Sequence, residues 1–285
     1  MLESPANGKH DGVESLCNRP RGAYVMSSNL GGPVHMARPM SPPGRHVDHV
    51  AVVIPARNEA GTILRTLGSV DTARRRLRPS VTSSCVIVLD DCTDTTEHLV
   101  RRHLHRERDS STLVVSSDAR NVGAARALGA VAAFDGMHRH DAVPATTWLA
   151  STDADTVVPS HWLHEQLRLA NSGVDAVAGI VELATGVNSR LRTRFDEMYL
   201  LGLDGTHGHV HGANMGMRAT TYLAAGGWQP LVCGEDHDLW HRLGAVGKCV
   251  SSTAISVTTS DRLCGRAPDG FAADLAELQR VEPVA

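Results

Sequence analysis

Asp153-Ala154-Asp155 follows an apolar run, Thr147-Trp148-Leu149-Ala150, after Ser151-Thr152. Residues one apart on an extended chain point to the same side, so the two carboxylates share a face. Carboxylates at the end of a buried strand need a counter-charge. Hard oxygen ligands suit Mg²⁺ or Mn²⁺, and such ions commonly carry a phosphorylated substrate. The pair therefore points to a cation and a nucleotide diphosphate. A solvated acidic turn is the plain alternative, because Asp is common after strands.

Other polar clusters have the same form. Arg57-Asn58-Glu59 follows an apolar stretch; Arg suits phosphate or base edges and Glu suits ribose hydroxyls. An acidic first helical turn would explain Glu59 equally well. Asp90-Asp91 ends another apolar stretch, where an Asp can read a base or ribose or cap the next helix. Arg120-Asn121-Val122-Gly123-Ala124-Ala125-Arg126 opens a helix. Gly123 permits close backbone approach there, and the helix N-terminus with Arg126 can attract phosphate. Glu235-Asp236 starts another helix, a place for a general base or merely for a favourable acidic turn. His207, His209 and His211 alternate, which on a strand aligns three imidazoles. That pattern raises a zinc site, but a polar cleft wall or surface loop is the better reading. Trp162, Leu163, Leu167 and Trp240 read as core.

The elements that must carry these clusters are legible. His49 to Ile54 is short, apolar and β-branched, the pattern of a strand buried on both faces, with Pro55 ending it. A helix is expected from about Ala60 to Val70, a strand over Ser84 to Leu89, and a helix capped by Thr93 or Asp94 and ending near His105. Further strands are expected at Thr112 to Ser116 and Thr146 to Ala150, separated by a helix from Val122. Such βα alternation predicts a mostly parallel sheet with helices on both faces. Ligands of such sheets bind outside the carboxyl ends of the strands, and every cluster from Arg57 to Asp155 lies at one. The second half is mixed. Helices are expected at 159–169, 188–201, 219–225, 235–243 and 270–279, strands at 175–181 and 248–252, and an extended run from His207 to Met217.

Composition removes several classes. The chain has 285 residues, a formal net charge of −3 and 4% aromatic residues. Neither a basic nucleic-acid footprint nor an aromatic platform for single strands is present. Six scattered cysteines form no CxxC pair, which suggests free thiols and a reducing, cytoplasmic setting. The polar N-terminus lacks a signal-peptide core, and no apolar run is long enough to span a bilayer. Residues 1–46 are rich in Pro, Gly, Ser and Arg and read as a disordered tail.

In order, Val53-Ile54-Pro55-Ala56-Arg57-Asn58-Glu59, Val88-Leu89-Asp90-Asp91-Cys92-Thr93-Asp94, the Arg120–Arg126 segment, Asp153-Ala154-Asp155, Gly212-Ala213-Asn214-Met215 and Gly234-Glu235-Asp236 resemble the inverting family 2 glycosyltransferases of the GT-A fold. The resemblance covers roughly residues 49–260 and implies an α/β fold: a Rossmann-like, mostly parallel sheet with a mixed acceptor-side half. It implies a single domain over 47–285, with a nucleotide-binding half to about 156, an acceptor half to about 260 and a C-terminal loop and helix at 261–285. Pro55, Ala56, Arg57, Glu59, Asp90, Asp91, Gly123, Arg126, Thr152, Asp153 and Ala154 would bind the nucleotide sugar. Asp155 and Asp153 would hold Mg²⁺ or Mn²⁺. Asp236 would be the catalytic base, and Gly212, Ala213, Asn214 and Glu235 would border the acceptor. A UDP donor is favoured, GDP is the other option, and the acceptor is an unidentified hydroxyl.

Departures from the pattern also matter. The QxxRW motif and membrane spans of processive relatives are missing, which implies single transfer. No histidine stands at the usual metal-ligand position downstream of Asp236. A basic stretch, Thr258 to Ala267 with Arg262 and Arg266, falls there instead and could clamp a diphosphate. Competing readings are a retaining transferase like the sugar-3-phosphoglycerate synthases, with Arg190, Arg192 and Arg194 around a phosphorylated acceptor, and a nucleotide-sugar-binding module without turnover. A nucleotidyltransferase is disfavoured because Lys9 and Lys248 are the only lysines.

Overall fold

A computed structural model describes residues 46–184, 189–198, 205–260, 262 and 275–277, all within the unit spanning 36–285. The expected tail, the side chain of Arg190, Arg266 and most of the expected 270–279 helix lie outside the described residues.

The chain alternates β1 (His49–Ala56), α1 (Ile63–Arg75), β2 (Thr82–Asp90), α2 (Thr96–Glu107), β3 (Thr112–Ser117), α3 (Val122–Gly136), β4 (Thr147–Ser151) and α4 (Trp162–Asn171). There follow β5 (Ala176–Leu183), α5 (Ser189–Met198), β6 (Met215–Arg218), α6 (Ala219–Ala224), α7 (Glu235–Val246) and β7 (Cys249–Thr259). One seven-stranded sheet has the order β3-β2-β1-β4-β6-β5-β7. β1 to β4 pair in parallel, β6 is antiparallel to β4 and β5, and β5 is parallel to β7.

The period-two alternation of β1 divides the core. Val50, Val52 and Ile54 join Leu67, Trp162 and Leu163 on one face, under α1 and α4. Ala51 joins Ala125, Met215 and Leu239 on the other, under α3 and α7. Both faces are covered, which is why β1 reads as an unbroken apolar run rather than an alternating one.

β1 does not stop at Pro55; it continues to Ala56. Val53 O accepts from Thr152 N on the β4 side, and β4 pairing ends there. Two residues on, Pro55 faces that same side, past the end of β4, so its missing N–H leaves no ladder bond unmade. The run from His207 is not a continuous strand. Gly212–Asn214 form a 3-10 turn before β6. The last strand, β7, runs to Thr259, well past the expected 252.

Candidate active site at the strand carboxyl ends

The carboxyl ends of β1 to β4 form one polar rim. Three rim residues have left-handed backbones: Asn58 (φ 54°), Asp91 (φ 50°) and Arg120 (φ 51°). Asn and Asp tolerate this region best, while Arg pays more. Each turns the chain sharply where a strand ends. Asn58 also ties two loops together, its Oδ1 accepting from Thr93 N (2.7 Å) and Asp94 N (3.2 Å).

The aspartates after β2 have different surroundings. Asp90 is buried and braces the β3–α3 loop; its oxygens accept from Ser117 Oγ (2.9 Å), Arg120 N (3.0 Å) and Asn121 N (3.0 Å). Asp91 is partly exposed and faces two guanidiniums, Arg120 at 2.7 Å and Arg57 at 3.6 Å. Of the two caps expected for α2, Thr93 and Asp94, neither stands at the N-cap position, which is Thr95; Asp94, one residue before it, accepts from Thr96 N through Oδ1 at 2.9 Å. Asn121 caps α3, accepting from Ala124 N at 2.8 Å.

The Asp153-Ala154-Asp155 turn is anchored from below, where Thr66 Oγ1 donates to Ala154 O at 2.9 Å. Its carboxylates diverge to two arginines. Arg126 Nη2 donates to Asp153 Oδ1 at 2.5 Å. Arg262 Nη2 lies 3.1 Å from Asp155 Oδ2, while its Nη1 contacts both Glu59 oxygens at 2.6 and 2.7 Å. Glu59 and Asp155 therefore face one another across a single guanidinium. Burial pushes the Asp155 carboxyl up to about 6, Asp153 adds to the shift, and Arg262 opposes it.

Arg126 does not lie open on the rim. It is 2% exposed, pairs with Glu235 as well as Asp153, and its guanidinium sits 5.0 Å over the Trp228 ring. Burial works against its charge, but Asp153 and Glu235 outweigh burial and raise its affinity for the proton. For Glu235 the balance is opposite: burial raises the carboxyl above its ordinary range despite Arg126. Asp153, Glu235 and Asp236 together offset the desolvation of Arg126, whereas Glu235 has one cation set against burial and the neighbouring charges of Asp236 and Asp153.

Asp236, next in α7, is held by backbone donors: Gly212 N at 3.0 Å on Oδ2 and His237 N at 2.8 Å on Oδ1. Gly212 has no room for a Cβ, which would overlap the Arg126 guanidinium. At Gly123 a Cβ would overlap the Gln229 carbonyl, so the close approach expected of Gly123 is to the protein's own backbone. Asn214 lies wholly within the core. It accepts from Trp162 Nε1 (2.9 Å) and donates to Ile180 O (2.8 Å) and Ile255 O (3.0 Å). The imidazoles of His207, His209 and His211 do stack, with centroids 6.1 and 6.3 Å apart. Among the described residues no group of three or more His, Cys, Asp or Glu is arranged to hold a metal.

The carboxylate cluster itself suits a cation. Glu59 and Asp155 converge on a positive group of the chain, Arg262, and Asp155 offers hard oxygens for Mg²⁺ or Mn²⁺. Asp153 is committed to Arg126 through one oxygen. Trp228 beneath Arg126 belongs to no spacing pattern, and the Arg57-Asn58-Glu59 cluster does not say that Asn58 turns to brace the loop at Thr93 and Asp94.

Comparison with known proteins fits this geometry. The Glycosyl transferase family 2 profile matches residues 51–222. The chain belongs to this family. No curated protein gives a significant match. Among solved structures, S. aureus TarS 1-349 in complex with UDP-GlcNAc is similar at TM-score 0.57 and 12% identity, over 81% of this chain and 64% of that one. The mannosyltransferase PcManGT from Pyrobaculum calidifontis, in complex with GDP-Man and Mn2+, is similar at TM-score 0.54 and 19% identity, over 77% and 59%. GalNAc-T7 with UDP, GalNAc and Mn2+ matches at TM-score 0.53 and 14% identity, over 75% and 44%. The chain thus spans less than two thirds of these neighbours, and at such identities the likeness concerns the GT-A fold. No helix among the described residues is long and apolar enough to cross a membrane.

Proposed function

We propose that the protein moves one sugar from a nucleotide-diphosphate sugar to an acceptor hydroxyl, with inversion at the anomeric carbon. The observation that carries this reading is the shared guanidiniums: Arg262 joins Glu59 to Asp155, and Arg126 joins Asp153 to the start of α7, where Asp236 lies. Side chains from the segments after β1 and β4 and from α7 thereby meet on one rim. Binding of UDP-GlcNAc, GDP-Man and Mn2+ by neighbours of the same fold supports a nucleotide-sugar donor with a divalent cation.

Each residue then has a task. Arg57, Glu59, Asp91 and the backbone at Pro55–Ala56 face the nucleoside, with Asp90 holding the neighbouring loop. Thr152, Asp153 and Ala154 shape the turn that presents Asp155 to the cation. When bound, Mg²⁺ or Mn²⁺ supplies positive charge against the leaving diphosphate. Asp236, oriented by Gly212 N and His237 N, accepts the proton of the acceptor hydroxyl. That oxygen forms a bond to the anomeric carbon from the face opposite the donor, while the bond to the diphosphate oxygen breaks and the diphosphate leaves with the electron pair. One displacement inverts the centre. The first half of the domain serves the donor and the second half the acceptor, and the free thiols of Cys85, Cys92 and Cys249 among the described residues suit work in a reducing cytoplasm.

A phosphorylated acceptor held by the arginines of α5 is less well supported. Arg192 donates to the carbonyls of Leu183 and Ala184, both at 2.8 Å, which turns it to the protein's own backbone. The test is calorimetric titration of UDP with and without Mn²⁺. Asp155→Ala is expected to remove the Mn²⁺-dependent part of binding. Equal UDP affinity with and without Mn²⁺ in the wild type would contradict the metal assignment.

A further inference from the structure

Arg126 lies one turn into α3, yet its guanidinium is enclosed by four separate segments. Asp153 comes from the end of β4, Glu235 from the first turn of α7, Trp228 from the loop before α7, and Gly212 from the 3-10 turn before β6. The Gly212 backbone closes over the guanidinium and also donates its N–H to Asp236. Arg126 therefore touches, directly or through one residue, both the acidic turn of the donor side and the carboxylate of the acceptor side.

The enclosure is not built for full satisfaction. Arg126 Nε is buried without a hydrogen-bond partner. Buried ion pairs are in general no more stabilising than apolar groups of the same shape, and an unmet buried donor lowers their worth further. What a planar guanidinium does supply is fixed direction, because two of its nitrogens hold two carboxylates at a set angle. Direction is what two substrates meeting at one carbon require.

We propose that Arg126 is a positioning residue: it clamps Asp153 against Glu235, thereby fixing Asp236 relative to the donor turn and leaving Asp155 as the carboxylate that faces the cation. This rests on the reading of Asp236 as the base. Asp153 acts through Arg126 on α7, and Glu235 acts on its neighbour's placement. The donor turn and the acceptor helix are consequently one mechanical unit.

The test is a double-mutant cycle on the full chain with Asp153→Ala, Glu235→Ala and both together, plus Glu235→Gln, whose carbonyl still accepts from Arg126. Melting temperature, Mn²⁺ affinity in the presence of UDP, and hydrolysis of UDP-GlcNAc or GDP-mannose, whichever the wild type turns over, are measured for each. Glu235→Ala is expected to lower kcat per folded molecule by about 10–100-fold, the scale of a lost alignment, with the donor KM within about twofold. Glu235→Gln should recover most of that loss. The double variant should be little slower than the worse single one, because both break the same clamp. Asp153→Ala should keep Mn²⁺ affinity within a few-fold, as expected of a residue acting through Arg126.

Unchanged kcat per folded molecule in Glu235→Ala, losses that multiply in the double variant, or abolished Mn²⁺ binding in Asp153→Ala would each overturn the inference. A wild type that binds no UDP and hydrolyses neither donor would sink the transferase centre instead. In that case the melting temperatures decide: non-additive shifts sustain the clamp and additive shifts refute it.

Discussion

Replacing Arg126 by Met keeps an unbranched, flexible side chain, shortens it by two atoms and removes its charge. Two carboxylates then lose their cation. The Glu235 side chain is 9% exposed and the Asp153 side chain 34%. Removing one member of a buried pair costs about 3–5 kcal/mol, which applies to Glu235. Asp153 is a third exposed, so screening confines its share to under about 1 kcal/mol. The cation–π contact with Trp228 is lost as well, about 0.5–1 kcal/mol more, because the shorter Met does not reach the place of the guanidinium. The net expectation is a loss of about 5 kcal/mol, or about 10–20 °C in melting temperature for a domain of this size.

The loss in Arg126→Met also has a sign in pH. Burial already holds the Glu235 carboxyl above its ordinary range, and losing Arg126 raises it further. A carboxyl whose folded value exceeds its unfolded value favours the fold at low pH, and that contribution disappears as pH rises through the folded value. The deficit of the variant should therefore be smaller at pH 5 than at pH 8. Thermal melts followed by circular dichroism, without ligand, read both effects. A shift under about 3 °C, equivalent to about 1 kcal/mol, or a deficit that does not change between those pH values, would refute the reasoning.

Three further outcomes are expected. His49 is fully buried, stacked on His140 and bonded to Thr82 and Ser84; burial pushes its value down to about 4. The unfolded chain takes up this proton below about 6.5 and the folded one does not, so stability should fall between about pH 6.5 and 4, by up to about 3 kcal/mol. In urea melts His49→Gln should flatten that slope, and an unchanged slope would count against it. Asn214→Ala leaves Trp162 Nε1 and the carbonyls of Ile180 and Ile255 without their partner, a loss of about 3 kcal/mol or more; a wild-type melting temperature would show that Asn214 is not structural. Arg262→Gln uncovers Glu59 and Asp155, so Mn²⁺ should bind the nucleotide-free protein about tenfold more tightly, equivalent to about 1.4 kcal/mol. Equal or weaker binding by electron paramagnetic resonance would be the contrary result.

The first half of the fold was legible because its strands are short β-branched runs and each ends in a polar cluster. Val50 to Ile54 and Cys85 to Leu89 left little choice but buried parallel strands, and their ends had to form the rim. The second half was harder for physical reasons. β6 is Met-Gly-Met-Arg and β7 is rich in Ser and Thr, so neither shows the β-branched apolar signature, and their pairing depends on segments far away in the chain. The direction of Arg126 was hidden as well. Alanines and glycines cover most faces of α3, which leaves no periodicity to say which side is buried, so a phosphate-facing arginine and a buried one look alike. Asn214 matched a site motif, yet its amide is the hydrogen-bond partner of a core tryptophan; only the fold separates those roles.

The most direct test of the account is to compare binding and turnover in Asp236→Asn. The substitution keeps the size of the side chain and one acceptor oxygen, enough for one of Gly212 N and His237 N, while removing the base. With Mn²⁺ present, UDP should bind within about twofold of the wild-type affinity, a difference under about 0.5 kcal/mol, and sugar transfer or donor hydrolysis should fall by about 100-fold or more, the range assigned to general-base catalysis. Turnover at the parent rate with binding intact would contradict the claim that this rim is a transferase centre with Asp236 as its base.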